Sequence, residues 1–160
     1  MSGNPAEHHY AHAAVRHYDD AVYLHDDNRL PNADHHYGFA VECALKSMVL
    51  RFTPATMNPR KPSKPPSTRP WVADPVTGKA IHDYGHLPWV TADLALLTHG
   101  RSAARLSAAL GNLTAFDSWS VEDRYLDGTA VVEAHVAQRR TVAKEILVLH
   151  EQALITGRLL

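Results

Sequence analysis

Glu42 and Lys46 stand four residues apart in a segment whose other side chains are mostly apolar, HHYGFAVECALKSMVLRF (residues 35–52). At about 100° per residue on a helix, both side chains share a narrow strip with His35. A glutamate followed by a lysine at this spacing forms a favourable ion pair, and a buried charge needs a partner because an unpaired one costs several kcal/mol. The strip therefore predicts a structural ion pair that fixes how helices dock, with a ligand-facing role as the alternative.

A second polar group lies in the segment WSVEDRYLDG (residues 119–128), which is rich in aromatic and turn-forming residues. Arg124 is its only arginine, and the planar guanidinium group can bind a carboxylate through two parallel hydrogen bonds. We expect Arg124 to reach Glu42. The predicted network of Glu42, Lys46 and Arg124 would tie the central helix to the segment before the last helix.

Histidines are the other residues with the right chemistry, and the chain contains twelve of them. On a helix, His8 would share a face with His12, and His82 with His86. Two ligands do not complete a metal site, and neither an HExxH motif nor a cysteine cluster is present. We therefore expect solvent-facing histidines and no metal. The sequence also lacks a glycine-rich phosphate loop and a G-x-S-x-G motif, and we expect no cofactor.

The pattern of apolar residues is helical along most of the chain. One stripe predicts a surface helix over residues 6–26, and another predicts a central helix that ends near Phe52 and is capped by Asn32 or Asp34. Pro88 is expected in the first turn of a helix that runs to about Thr98 and is ended by Gly100.

Two more helices complete the prediction. SAARLSAAL (residues 102–110) predicts a short helix with an inner face of leucines, Leu106, Leu110 and Leu113. The last helix is expected from near Thr129 almost to the end, with an apolar stripe of Val132, Val136, Ala143, Leu147 and Leu154. His150 falls on that stripe after Arg139, and we expect core or interface positions for both, with a nucleotide pocket as the alternative. No strand-like alternation is found, so the predicted fold is all-α, an antiparallel up-and-down bundle of about five helices.

Residues 53–80 interrupt this pattern between the second and third helices. Seven prolines argue against regular structure here: Pro54, Pro59, Pro62, Pro65, Pro66, Pro70 and Pro75. The segment is also basic, because it contains five lysines and arginines and a single acidic residue, Asp74. A solvated or partner-docking loop is expected, and phosphate tracking with Trp71 as a stacking platform is the alternative.

Composition limits the class of protein. The 160 residues fit a single domain, and the net charge of −1 provides no overall field for nucleic acid or an anionic membrane. A lone cysteine, Cys43, excludes an internal disulfide, and no apolar run is long enough to span a membrane. These features predict a cytoplasmic protein that does not bind membranes.

Three motifs together resemble those of the HEPN superfamily (higher eukaryotes and prokaryotes nucleotide-binding). They are NADHHYGFAVECALKSMV, then HDYGHL, then RYLDG before a long helix. The matching positions are Ala33, Gly38, Glu42, Ala44, Leu45 and Lys46, then His82 and Asp83 or His86 and Leu87, and finally Arg124, Tyr125 and Asp127. The resemblance covers roughly residues 10–155. Leu126 stands where that family usually has proline, and the proline-rich loop is longer than expected.

The resemblance implies a helical bundle that is often a homodimer and that occurs beside a nucleotidyltransferase partner, as a toxin or as an RNA-cleaving domain. RNA-cleaving members carry an R-x(4–6)-H motif, in which arginine holds phosphate and histidine acts as acid or base. Here Arg29 is followed at that spacing by His35 and His36. Chance alone predicts about 2.5 such pairs in a chain of this composition.

Two functions follow as hypotheses. The preferred one is a non-catalytic, HEPN-like dimerising module that binds a nucleotide, RNA or a protein partner, with Glu42, Lys46, Arg124, Tyr125, Asp127, His82 and His86 as its binding or structural network. The alternative is a metal-independent ribonuclease that could serve as a toxin. In it, Arg29 would bind the phosphate and His35 or His36 would act as acid or base.

Overall fold

The structure is a computed structural model that describes residues 4–99 and 103–160 of the chain. Within those residues it contains five α-helices, two short 3-10 helices and one small sheet. The mostly helical class predicted from the sequence is confirmed.

The first two helices form the largest packing interface. Helix α1 is Pro5–Asp26, and its N-terminus is capped by Asn4, whose side-chain oxygen accepts the amide hydrogen of Ala6 at 3.0 Å. Helix α2 is Leu30–Phe52. It begins earlier than predicted because Pro31, which has no N–H to leave unpaired, suits the first turn. Asn32 and Asp34 therefore lie inside the helix, and the prediction that one of them caps it is wrong.

The C-terminal half contains the remaining helices. Helix α3 is Thr91–Ala95, shorter than predicted, and α4 is Ala104–Gly111. The predicted stop at Gly100 lies outside the described residues. The first 3-10 helix, Asn112–Phe116, and the second, Val121–Tyr125, lead to α5, Glu133–Thr156. Helix α5 starts four residues later than predicted, so Val132 precedes it and is exposed.

The proline-rich segment contains regular structure, contrary to the prediction. Strand β1, Trp71–Ala73, pairs antiparallel with β2, Ala80–Asp83. The strand fits in the proline-free gap between Pro70 and Pro75. Asp74 closes the connection, because its side chain accepts the amide hydrogens of Val76 and Thr77 at 2.8 and 2.7 Å.

Helix α2 lies at the centre of the fold. It packs against both α1 and α5, and every residue from Tyr37 to Leu50 except Phe39 is buried. One apolar cluster joins α1, α2, α4 and α5, with Tyr37, Leu45, Met48 and Ile146 among its fully buried members. Among the described helices, none combines the length and apolar character needed to cross a membrane. The central position of α2 explains why its few polar residues all need partners.

Candidate functional site

Glu42 is the centre of a polar group, the Glu42 cluster, which consists of the buried Glu42 and Lys46, the exposed His86 and the backbone of Leu87. Its Oε1 accepts from Lys46 Nζ at 2.6 Å and lies 3.1 Å from His86 Nδ1. Its Oε2 lies 3.2 Å from the same nitrogen and accepts the Leu87 amide hydrogen at 3.1 Å. Glu42 and Lys46 are only 3% and 5% exposed. Both carboxylate oxygens of Glu42 thus have partners, and among these side chains the imidazole of His86 is the one that reaches solvent, with its side chain 55% exposed.

Arg124 does not belong to this network. It lies on the exposed second 3-10 helix, where its guanidinium carbon sits 4.7 Å from the ring centroid of Tyr125. No ion pair joins it to Glu42 within the described residues. His86 occupies the place predicted for Arg124, because the segment after β2 passes over α2 and brings its imidazole to the carboxylate.

The HDYGHL motif divides into two separate sets of contacts. His82 Nδ1 lies 2.7 Å from Asp93 Oδ1, whereas His86 reaches Glu42. Asp83 pairs with Arg60 at 2.7 Å and with Arg69 at 2.6 Å. Burial raises the pKa of Asp83, but the hydrogen bonds from both arginines outweigh it and lower the pKa overall. Two cations of the basic loop are therefore paired with one carboxylate.

A cavity of about 540 Å³ lies between the start of α2, the second 3-10 helix and the start of α5. We call it the Arg139 pocket. Its lining consists of Pro31, Asp34, His35, Ser118, Asp123, Tyr125, Leu126, Asp127, Gly128, Ala130, Val131, His135 and Arg139. Three residues of the predicted site, His35, Tyr125 and Asp127, meet here.

The floor of this pocket is a buried ion pair between Arg139 and Asp34. The guanidinium donates to Asp34 Oδ2 at 2.5 Å, to the Ala115 carbonyl at 2.8 Å and to Ser118 Oγ at 2.9 Å. Asp34 Oδ1 is also buried but has no hydrogen-bond partner among the described residues. Burial raises the pKa of Asp34, and the charge of Arg139 beside it opposes that rise. One oxygen of this buried carboxylate therefore lacks a hydrogen-bond partner at the floor of the pocket.

The wall beside this floor is His35, which packs on the aromatic side chains behind it. The His35 ring stacks on Trp119 with centroids 5.6 Å apart and meets Phe39 edge-on at 4.6 Å. Trp119 donates its indole hydrogen to the Asp34 carbonyl at 3.2 Å and lies directly against Gly38, where any side chain would overlap the indole. Burial, with the nearby His36 and Arg124 charges, lowers the pKa of His35. The imidazole is thus neutral at neutral pH.

The rim of the pocket carries an excess of carboxylates. Asp123 and Asp127 add to Asp34, while Arg139 is the one lysine or arginine in the lining. Hydrogen bonds from Thr129 lower the pKa of Asp127, which keeps that carboxyl ionised. Tyr125 is 71% exposed at the edge. The pocket is therefore suited to donor-rich or cationic groups more than to phosphate.

The residues predicted for a ribonuclease site do not come together: they are Arg29, His35 and His36. Arg29 is exposed at the residue before α2, His35 faces the Arg139 pocket, and His36 Nδ1 lies 3.0 Å from His17 Nδ1 of α1. No hydrogen bond joins Arg29 to either histidine in the described part of the chain. Neighbouring helix positions differ by about 100°, which is why the two histidines face different surroundings.

Asp34 and Arg139 form the floor of the pocket, and Trp119 packs behind its wall. The sequence analysis gave no site role to Asp34 or Trp119 and offered a nucleotide pocket for Arg139 only as the alternative. Two signals were available. A glycine inside an apolar helix, Gly38, indicates a close approach by another group, and the S-x-x-D spacing of Ser120 and Asp123 is a capping motif that starts an element directly after Trp119. His150 and Arg139 are both buried, and His150 Nε2 lies 2.9 Å from Ser47 Oγ.

The chain matches no family model, no curated protein and no solved structure.

Proposed function

We propose that this chain is a non-catalytic, HEPN-like helical module that binds a nucleotide or RNA by seating a base in the Arg139 pocket. One observation carries the proposal: a cavity of about 540 Å³ lined by a buried carboxylate with an unpartnered oxygen, beside an imidazole stacked on an indole. That volume falls in the range of about 300–1,000 Å³ typical of small-molecule sites.

The charges favour a base over a phosphate in the pocket itself. Adenine, guanine and cytosine carry exocyclic amino groups, which can donate to the rim carboxylates of Asp123 and Asp127. A phosphate there would face Asp123 and Asp127, and the one arginine of the lining, Arg139, is already paired with Asp34. The flat faces of Tyr125 and His35 supply surfaces on which a base can stack.

The phosphate and ribose would then lie outside, near the exposed cations that flank the lining in sequence. Arg124 stands between Asp123 and Tyr125, and Arg29 stands two residues before Pro31. Arg124 already stacks over the Tyr125 ring, so a base on that ring and a phosphate on that guanidinium can be bound together.

The finer parts of the HEPN-like prediction belong to the same proposal. They are a single domain over residues 1–160, an antiparallel up-and-down arrangement, a homodimer, a nucleotidyltransferase-like partner and a cytoplasmic location. Val148 and Ile155, 39% and 78% exposed on α5, offer apolar surface that a dimer or partner contact would cover. Cys43 is buried and free, which fits a reducing compartment.

The test is a binding titration of the purified chain with AMP, GMP, CMP and UMP, followed by calorimetry. We expect the three nucleotides with exocyclic amino groups to bind more tightly than UMP. Tyr125→Ala should weaken binding by about 1–3 kcal/mol, the usual contribution of one base stack. Tyr23→Ala is the matched control, because Tyr23 is 72% exposed and does not line the pocket.

Two results would overturn base binding: no heat with any nucleotide, or equal effects of the Tyr125 and Tyr23 variants. The ribonuclease hypothesis is tested separately by incubating total RNA with the chain in EDTA. We expect intact RNA. Cleavage that is lost in a folded His35→Ala or His36→Ala variant would replace the non-catalytic proposal with a metal-independent ribonuclease that uses Arg29.

A further inference from the structure

His17 of α1 and His36 of α2 bring their ring nitrogens together at the contact between the two helices. The two Nδ1 atoms lie 3.0 Å apart, and the ring centroids are 5.2 Å apart. Asp20 lies three residues after His17 and therefore on the same face of α1. One ligand atom from each of the three residues lies within 4.8 Å of the other two.

We propose that His17, Asp20 and His36 form a binding site for a divalent transition-metal ion, with Zn²⁺ as the representative. The sequence analysis expected no metal because it considered histidine pairs within single helices. Only the packing of α1 against α2 brings the third ligand to the other two. The proposal goes beyond base binding and does not depend on it.

The spacing of the ligands suits such an ion. Two nitrogens bound to tetrahedral zinc at about 2.0–2.1 Å are about 3.3 Å from each other. The observed 3.0 Å needs an opening of a few tenths of an ångström, which small side-chain rotations provide. The carboxylate of Asp20 is exposed and forms no hydrogen bond or ion pair among the described residues, so it is available as the third ligand.

The surroundings hold one imidazole in place. His17 stacks on Phe39 with ring centroids 5.3 Å apart and planes 30° apart. His17 and His36 are both half-buried, which limits their rotamers without closing the site to solvent. Arg16 is the nearby cation that opposes an added positive charge, and Asp20 offsets it.

The ligand set favours a borderline metal over a hard one. Imidazole nitrogens suit zinc, copper, nickel and iron, whereas Mg²⁺ and Ca²⁺ prefer sites made of oxygen ligands. Three protein ligands also leave a coordination position for water, as in zinc sites that are open to solvent. We therefore expect Zn²⁺ to bind and Mg²⁺ not to compete with it.

A hydrogen bond between two neutral imidazoles gives the same contact without a metal, so the experiment has to separate the two. The full chain without an affinity tag is titrated with Zn²⁺ in a calorimeter, with excess Mg²⁺ present. His36→Gln and Asp20→Asn remove one ligand each. The exposed pair His8 and His12 provides the control for adventitious binding, through the double variant His8→Gln/His12→Gln.

We expect one Zn²⁺ per chain, bound with unchanged affinity by the His8 and His12 variant. Loss of an outer-shell partner alone lowers metal affinity about 10–100-fold, and we expect each site variant to lose at least that much. Because Asp20 is exposed, Asp20→Asn should fold normally, and circular dichroism checks this. Co²⁺ substitution supplies a second readout, since its visible spectrum reports nitrogen and oxygen ligands directly. The proposal fails if the wild type binds no Zn²⁺, if the His8 and His12 variant loses it, or if both site variants bind as the wild type does.

Discussion

Glu42 and Asp34 are two acidic side chains of the same helix, both buried and both paired with a cation, yet their bonding differs. Glu42 has partners on both oxygens: Lys46, His86 and the Leu87 amide. Asp34 has Arg139 on one oxygen and no hydrogen-bond partner on the other within the described residues. Glu42 and Lys46 lie in the core with the exposed His86 beside them, whereas Asp34 lines a cavity.

The difference separates a group that serves the fold from one that has capacity left for a ligand. Each oxygen of Glu42 already has a partner, so a ligand could bind that carboxylate only by competing with a native bond. An unpartnered buried oxygen costs free energy that a ligand donor can recover. Burial and charge are alike at both sites, and the hydrogen-bond inventory distinguishes them.

The largest expected effect is that of breaking the saturated cluster. Glu42→Ala leaves Lys46 buried without its carboxylate, and we expect the free energy of unfolding to fall by about 3–5 kcal/mol in urea denaturation. Glu133→Ala is the control, because Glu133 also pairs with a histidine, His25 at 2.9 Å, but its side chain is 60% exposed. That change should cost no more than about 1 kcal/mol. Equal costs would mean that the Glu42 cluster does not stabilise the fold.

Helix α2 has a third buried polar contact, between Ser47 and His150 of α5, and it makes stability depend on pH. Burial lowers the pKa of His150 from 6.5 to about 4, while the Glu7 charge opposes the shift and Arg51 supports it. Between these values the unfolded chain binds a proton that the folded chain does not, so stability is complete above pH 6.5 and is lost as the pH falls towards 4. The loss attributable to His150 approaches roughly 3 kcal/mol.

Urea unfolding at several pH values checks this effect in the wild type and in His150→Gln. The variant removes the titrating group but retains a polar side chain near Ser47. We expect the two curves of stability against pH to diverge in slope below pH 6.5. Parallel curves would show that His150 is not buried as a neutral group.

The aromatic wall of the pocket can be disturbed by one methyl group. Gly38→Ala places a Cβ on the indole of Trp119 and should cost about 1–3 kcal/mol through overpacking. Because His35 stacks on that indole, nucleotide binding should weaken as well. Gly111→Ala in α4 is the matched control, since no atom lies within 4 Å of its added Cβ. There the added methyl group should be neutral or stabilising.

The smallest effect concerns the rim of the pocket. Ser120 caps the second 3-10 helix, accepting the Glu122 amide hydrogen at 3.1 Å, and its own amide donates to Asp123 at 2.9 Å. Ser120→Ala should lower stability by about 1 kcal/mol in thermal denaturation. The exposed Ser107→Ala in α4 should stay within about 0.5 kcal/mol. No difference between them would indicate that the cap does not hold the rim.

The local pattern of residues predicted most of the helices. The predicted span of helix α1 agrees with the structure to within one residue at each end, because apolar residues at helical spacing reveal a buried stripe directly. The buried Glu42–Lys46 pair was also predictable, since both residues lie on one helix at a fixed separation. The short strands were missed because three or four residues give too little alternation to detect.

Partners that come from distant parts of the chain could not be predicted. Arg124 was expected at Glu42, but His86 is there. Arg139 was expected in the core or an interface, with a nucleotide pocket as the alternative, but Asp34, 105 residues away, was not identified as its partner. A residue type indicates which partners are chemically suitable, and this chain has several arginines and histidines that suit each carboxylate.

The sequence by itself determined a mostly helical chain, a central apolar helix and the need for that helix to pair its few charges. Only the tertiary structure decided which cation meets which carboxylate, that Asp34 retains a free oxygen beside a cavity, and that His17, Asp20 and His36 converge. The physical reason is one of range. Helical periodicity and capping act over a few residues, whereas a pocket or a metal site depends on side chains brought together from separate helices by packing.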